Sequence, residues 1–191
     1  MEPKPVSRIN LREFKAISHA ISTYEDLTVL NHHLVEGICK AFNIKACSIF
    51  LYDDRENQLF RVTSYGLSEE YLSKGPIIVD DNKNREALSG EVVFYQDIKN
   101  DDRVLYPEEA ISEGIMSMLS VPIKYHEHTL GLLKMYHSDP WILHEDDQDS
   151  FCVLAAHLGL RIEHTGLRNF FEMVKAAAGS LPLRMMQGLA L

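Results

Sequence analysis

Cys39, Cys47 and Cys152 are the strongest potential nucleophiles in the chain. A reactive thiolate needs a nearby cation or a helix N-terminus to lower its pKa. Cys39 falls late in a helical pattern, where the dipole opposes negative charge. Cys47 falls inside an apolar strand pattern. Cys152 falls near a helix start, on a face of small and apolar residues. These placements predict buried structural thiols rather than catalytic ones. Three irregularly spaced cysteines give neither a disulfide framework nor a zinc pattern, which fits a reducing, cytoplasmic setting.

Two other constellations resemble cation sites. Asp80, Asn82, Asn84 and Glu91 occupy the first, third, fifth and twelfth places of a calcium loop. The sixth place requires glycine and holds Arg85. The preceding Ile77–Val79 reads as strand, not helix, so a solvated loop is expected. His126 and His128 flank a turn, but two ligands do not make a metal site. His137, His144 and Glu145 are scattered along the sequence. A different chemistry is offered by Asp97-Ile98-Lys99-Asn100-Asp101-Asp102-Arg103, a polar stretch between a short strand and a helix. Arg103 has the fork geometry that pairs with a carboxylate or phosphate. Tyr95 and Tyr106 flank it with flat apolar surface. Met116 and Met118 alternate, so a strand would place both on one face. Polar loops of this kind carry function more often than core segments do. From the residues alone, a pocket rim and a plain surface loop are both open.

These groups must be positioned by a mixed set of elements. Leu11, Phe14, Ile17 and Ile21 recur at helical spacing, and Leu27, Leu30, Leu34, Ile38 and Phe42 form a second stripe that ends at Asn43. Ser22-x-x-Glu25 has the form of a capping box between them. Ala46–Tyr52 and Leu59–Tyr65 read as strands, Glu69–Leu72 as one helical turn, and Ile77–Val79 and Val92–Tyr95 as short strands. Arg85–Gly90 has helical composition, and Pro107–Glu113 reads as a helix with proline in its first turn. Ile115–Tyr125 and Leu130–Tyr136, joined by a polar turn, predict an antiparallel hairpin at the centre of a sheet. Pro122 predicts a bulge or an unpaired edge position within it. From Asp147 a helix runs towards Ala178, with Phe151, Leu154, Leu158 and Ile162 on one stripe. Cys152, Ala155, Ala156 and Gly159 lie on a neighbouring stripe of small residues, suited to a close helix neighbour. Helices, then strands, then a long helix indicate a single α+β domain.

At 191 residues, with 46% hydrophobic and 25% charged residues, the chain has an ordinary globular composition. A net charge of −9 argues against sequence-independent nucleic-acid binding. No apolar run reaches the ~18 residues of a membrane span, and Met1–Asn10 lacks the apolar core of a signal peptide.

The run Gly114-Ile115-Met116-Ser117-Met118-Leu119-Ser120-Val121-Pro122-Ile123, followed by Leu130-Gly131-Leu132-Leu133-Lys134-Met135-Tyr136, resembles the final hairpin of a GAF domain. Gly90–Asp97 upstream and His144–Asp147 downstream extend the resemblance over roughly Leu27 to Glu163. It implies a GAF-like, PAS-related fold: a six-stranded antiparallel sheet, terminal helices on one face, and a pocket roofed by the middle loops. It also implies that Tyr95, Asp97, Arg103, Tyr106, Met116, Met118 and Ser120 border one ligand cavity. The cyclic-nucleotide branch carries an Asn-Lys pair, a Phe and an Asp-Glu pair. Those places hold Tyr136-His137, Leu143 and Asp147-Gln148, and only Asp147 matches. The bilin-attaching branch needs a cysteine in the middle loops, where this chain has none. The expectation is a stand-alone, non-catalytic sensory domain with an unidentified small-molecule ligand. Its output would pass through the terminal helices to a signalling partner. The alternatives are a redox enzyme like the free methionine sulfoxide reductases, using a cysteine, and a pure interaction module. Residues 1–10 are expected to be an arm, 11–165 the domain, and 166–191 a helical extension with an apolar tail. A homodimer through the first and last helices is expected, because Phe170, Phe171 and Val174 would otherwise expose apolar surface.

Overall fold

In the computed structural model, residues 11–74, 77–79 and 88–179 are described. The expected arm, the calcium-like positions Asp80, Asn82 and Asn84, residues 85–87 and the tail from 180 onward lie outside them.

Two helices open the fold, α1 (Leu11–Thr23) and α2 (Leu27–Phe42). Ser22 lies within the last turn of α1 and donates to His19 O at 2.8 Å, so it does not cap α2. The cap is Asp26, whose Oδ1 accepts from Thr28 N at 2.7 Å and Val29 N at 3.1 Å. These N–H donors hold its carboxyl below the usual range. An aspartate directly before the apolar stripe outcompetes the more distant serine because only the residue entering with extended backbone can reach the N2 and N3 amides. Asn43 ends α2 in the left-handed conformation, φ 50, which asparagine tolerates.

The sheet then builds from β1 (Ala46–Asp53), β2 (Gln58–Tyr65), β3 (Ile77–Ile78), β4 (Val93–Tyr95), β5 (Ser117–Tyr125) and β6 (His128–His137). The strands lie in the order β3-β2-β1-β6-β5-β4, with every pairing antiparallel. Among the described residues, α3 (Glu69–Leu72), α4 (Pro107–Ser112) and a 3-10 turn at Ile98–Asn100 interrupt them. The last helix, α5, runs from Glu145 to Gly179. The β5–β6 hairpin forms as expected, but the two middle strands of the sheet are β1 and β6, and β5 lies second from the edge. Pro122 pairs opposite Leu132, and the ladder shifts register one step later, between Ile123 and Lys124. Pro122 is accommodated because β4 pairs β5 only as far as Ser120, so no outer strand asks for its missing N–H.

Period-two alternation on β5 and β6 gives the sheet two different faces. Leu119, Val121, Ile123, Leu133 and Met135 join Cys47 and Ile49 beneath α1, α2 and α5, where Phe42, Phe151 and Trp141 fill the centre of that core. Met118, Leu132 and Tyr136 face the other way. There they pack with Ala46, Phe50 and Tyr95 against the middle segments, through Ile98, Val104, Ala110 and Ile115.

Gly159 corrects one expectation about α5. A Cβ built there would stand 2.0 Å from Lys124 O. Gly159 therefore lets α5 rest on the backbone of β5 rather than on another helix. Beyond Ile162 the helix leaves the sheet. Leu167, Phe170, Phe171, Met173 and Val174 are all exposed there, Phe170 by 61%.

Candidate ligand cavity

The face away from the long helices holds a cavity. Its floor is the sheet: Phe50 on β1, Tyr95 on β4, Met118 on β5, and Lys134 and Tyr136 on β6. Its walls and roof come from Arg61, Leu67, Tyr71, Lys74, Ile77 and the Arg103–Tyr106 segment. The cavity volume is about 60 Å³, above the ~10–15 Å³ that a site needs to hold one water.

Each wall is tied down locally. Ser68 caps α3 by accepting from Tyr71 N at 3.2 Å. Its own N–H and hydroxyl donate to the Glu113 carboxylate, and Lys45 Nζ approaches the same group at 3.6 Å. Burial pushes the Glu113 carboxyl up, but Ser68 and Lys45 outweigh it and the net shift is downward. The end of α4 thus anchors the start of α3. Arg61 Nη2 donates to Leu72 O at 3.0 Å, fixing the other end of that helical turn. Lys74 Nζ lies over the Tyr71 ring, 2.9 Å from its centroid. Tyr71 meets Tyr136 edge-on at 6.3 Å, and burial pushes both phenols above their usual pKa.

Four of the residues singled out in the sequence line this cavity: Tyr95, Arg103, Tyr106 and Met118. Arg103 does not present a free fork. Its Nε and Nη2 donate to Asp101 Oδ1 and Oδ2 at 2.9 and 2.6 Å, and its guanidinium lies 4.8 Å from the Tyr95 ring centroid. That pairing, with the Arg103 N–H, holds the Asp101 carboxyl below its usual range. Asp97 and Met116 are elsewhere. Asp97 caps the 3-10 turn, accepting from Lys99 N at 3.1 Å and Asn100 Nδ2 at 2.6 Å. With the 49%-exposed Met116, it borders a separate groove beside Ile111 and Pro140. Met116 precedes β5, so it does not share the strand face of Met118. Ser120 is fully buried on β5 and is not among the lining residues.

The residue that sequence reasoning missed is Lys134. It is 4% exposed and lies directly across β6 from Ser48 on β1 and Ser120 on β5. Cross-strand partners share a face, so these three polar residues form one row under the cavity. Lys134 Nζ sits 5.6 Å from the Phe50 ring centroid. Among the described residues it meets no carboxylate and no hydrogen-bond acceptor. Burial, and then the charge of Lys74, bring its pKa down to about 8. Lys74 is lowered to about 8 as well, by burial first, against the pull of Glu109 and Glu113. The signal for Lys134 was present in the sequence. Its strand is apolar on both faces, and a lone lysine in such a strand has no solvent to reach.

The cysteines lie on the opposite side of the sheet. Cys39 and Cys47 are in the helix-side core, with Cys152 packed against it. Burial pushes the Cys39 thiol up to about 12 and raises Cys47 and Cys152 too. Among the described residues no three His, Cys, Asp or Glu side chains converge on a metal site, and no helix is long and apolar enough to cross a membrane.

The fold has known counterparts. A GAF domain of a phosphoenolpyruvate-protein phosphotransferase from Coxiella burnetii superposes with a TM-score of 0.74 at 20% identity, covering 83% of this chain and 95% of its own. The GAF domain of an Acinetobacter phosphoenolpyruvate-protein phosphotransferase gives 0.71 at 23% identity, covering 85% of this chain and 97% of its own. A free methionine-R-sulfoxide reductase from Neisseria meningitidis, solved with its substrate, gives 0.69 at 17% identity over 85% of this chain and 96% of its own. At these identities the likeness establishes the fold alone. No curated protein matches the chain in sequence. The model of the GAF domain matches residues 26–162, and with that match, the two-faced six-stranded sheet and the cavity on its open face, the chain belongs to the GAF domain family.

Proposed function

We propose that the chain is a sensory and regulatory GAF domain that binds a small molecule in the cavity on the open face of its sheet. It performs no chemistry on that molecule. Its state passes through α1 and α5 to a signalling partner in the cytoplasm, from a homodimer built on those helices. The observation that carries this reading is the cavity itself: aromatic walls, buried cations, and room for more than a single water. Pockets of mostly apolar lining with a few placed polar groups are the usual form of small-molecule sites.

The enzyme reading needs a thiolate at the cavity. All three thiols sit on the other face or at its edge, and burial holds each in the protonated form. A pure interaction module would fill its pocket with side chains, whereas this one leaves space. Native mass spectrometry of protein taken directly from cells tests the proposal. The expected result is added mass that disappears on denaturation. An unadorned mass, together with no stabilisation by a broad metabolite panel, would overturn it.

A further inference from the structure

Lys134 is a buried cation on the floor of the cavity that faces the Phe50 ring and, among the described residues, meets no carboxylate. The other cations there are answered. Arg103 is paired with Asp101, Arg61 donates to the Leu72 carbonyl, and Lys74 lies in the field of Glu109 and Glu113. No aspartate or glutamate is among the described lining residues, although the chain as a whole carries a net charge of −9. Buried charges are normally paired, because an isolated one costs several kcal/mol in lost hydration. Among the described residues, the Ser120 hydroxyl beside Lys134 in the same sheet row also has no hydrogen-bond partner. The Ser48 hydroxyl on the other side stands close to the Tyr136 phenol but makes no bond of normal geometry.

Resting on the small-molecule reading above, we infer that the ligand is a small organic carboxylate whose anionic group docks on Lys134 and whose apolar body lies among Phe50, Tyr71, Tyr95 and Tyr136. A single ammonium in an apolar cage suits a monoanion. A phosphate dianion is costlier to desolvate and favours a bidentate clamp, and of the two described arginines on the cavity wall Arg103 is engaged by Asp101 and Arg61 donates to the Leu72 carbonyl. The modest size of the cavity favours an acid of one ring or a short chain.

The test uses the full chain and three acids, benzoate, phenylacetate and 4-hydroxybenzoate, each against its neutral amide. Inorganic phosphate serves as the simple oxyanion. Titration calorimetry and thermal shift are read for the native chain, Lys134→Met, Lys134→Gln and the surface control Lys40→Met. The inference expects at least one acid to bind about tenfold or more tightly than its amide. Both Lys134 variants should lose that preference, and Lys40→Met should keep it. Lys134→Gln covers the case in which methionine closes the cavity. Equal binding of acid and amide, or acid binding that survives in Lys134→Gln, overturns the inference while leaving a small-molecule site standing. Phosphate binding as tight as the best acid overturns the organic carboxylate. No binding of any of the three acids to the native chain overturns the inference, and the mass measurement then decides the broader reading separately.

Discussion

Lys134 holds its charge against its surroundings. An ordinary lysine pKa of 10.5 lowered to about 8 corresponds to a cost of about 3 kcal/mol in the empty protein, at ~1.4 kcal/mol per unit. Because the folded value is the lower one, the unfolded chain binds more protons between pH 8 and 10.5. Stability from this group therefore rises with pH across that window, and the full cost is present below pH 8. Lys134→Met should raise stability at pH 7 by about 1–3 kcal/mol. The gain should shrink towards pH 10, read by urea unfolding of both proteins. Comparing the two proteins cancels the contributions of Tyr71 and Tyr136, whose raised pKa values oppose this trend. A variant less stable than the parent at pH 7 would show that Lys134 is already satisfied. The thiols supply a second test at this scale. Cys39 and Cys47 should label with a disulfide reagent only as fast as the protein opens, with Cys152, half-buried, ahead of them. Labelling of Cys39 or Cys47 at the rate of a free thiol at pH 7 would contradict their burial. At this scale the sequence was only half legible. Tyr95, Tyr106 and Met118 reach the cavity because the strand and loop pattern that suggested them is real. Asp97 is drawn off by the local N–H donors it caps, a contact that its polar neighbourhood does not distinguish from a ligand contact.

Among the elements, α5 shows how one glycine sets a packing distance. Gly159 meets the Lys124 carbonyl, whereas Gly166 on the same helix has nothing within 4 Å of a built Cβ. Gly166→Ala should stabilise the protein by roughly 0.5–1 kcal/mol through helix propensity alone. Gly159→Ala should destabilise it, by about 1–3 kcal/mol, since helix and strand must part. Thermal melts of the two variants decide this, and matching shifts of the same sign would mean that α5 does not rest on β5 there. Most elements could be read from the sequence, because apolar periodicity records which face is buried. The C-terminal end of α2, the helical turn at Glu69–Leu72 and the β5–β6 hairpin follow that record closely. The start of α2 did not. A Ser-x-x-Glu pattern also fits the last turn of a preceding helix, and Asp26 was the stronger cap. Gly159 meets a strand where a helix was expected for a related reason: a small side chain admits a close neighbour without saying whether it is helix or strand.

At the scale of the molecule, α1 and the outer half of α5 leave apolar surface open. Leu11, Phe14 and Leu160 border a groove between the two helices, and Phe170, Phe171 and Val174 are exposed farther along α5. Soluble monomers seldom expose so many large apolar side chains on one element, and two copies of each helix would cover them in a four-helix bundle. Light scattering of the intact protein should give a dimer at tens of micromolar, and a chain ending at Arg168 should be mostly monomeric. A monomeric intact protein would sink this arrangement, and a dimer that survives both this cut and removal of residues 1–21 would move the interface elsewhere. The seat of α5 on β5 then acquires a mechanical meaning. Gly159 would act as a fulcrum, since it bears on the strand that carries Met118 and Ser120 on its other side. The arm beyond it to Gly179 measures roughly 30 Å at ~1.5 Å per residue, so a tilt of only ~2° at the strand displaces its tip by about 1 Å. Spin labels at Lys40 and Lys175 should report that swing when a cavity ligand is added, and an unchanged distance would mean that the arm stays still. With such gearing, an occupant need not reshape the sheet to be noticed: a shift too small to break a hydrogen bond at the cavity floor becomes a displacement of atomic size where the two arms of a dimer would meet.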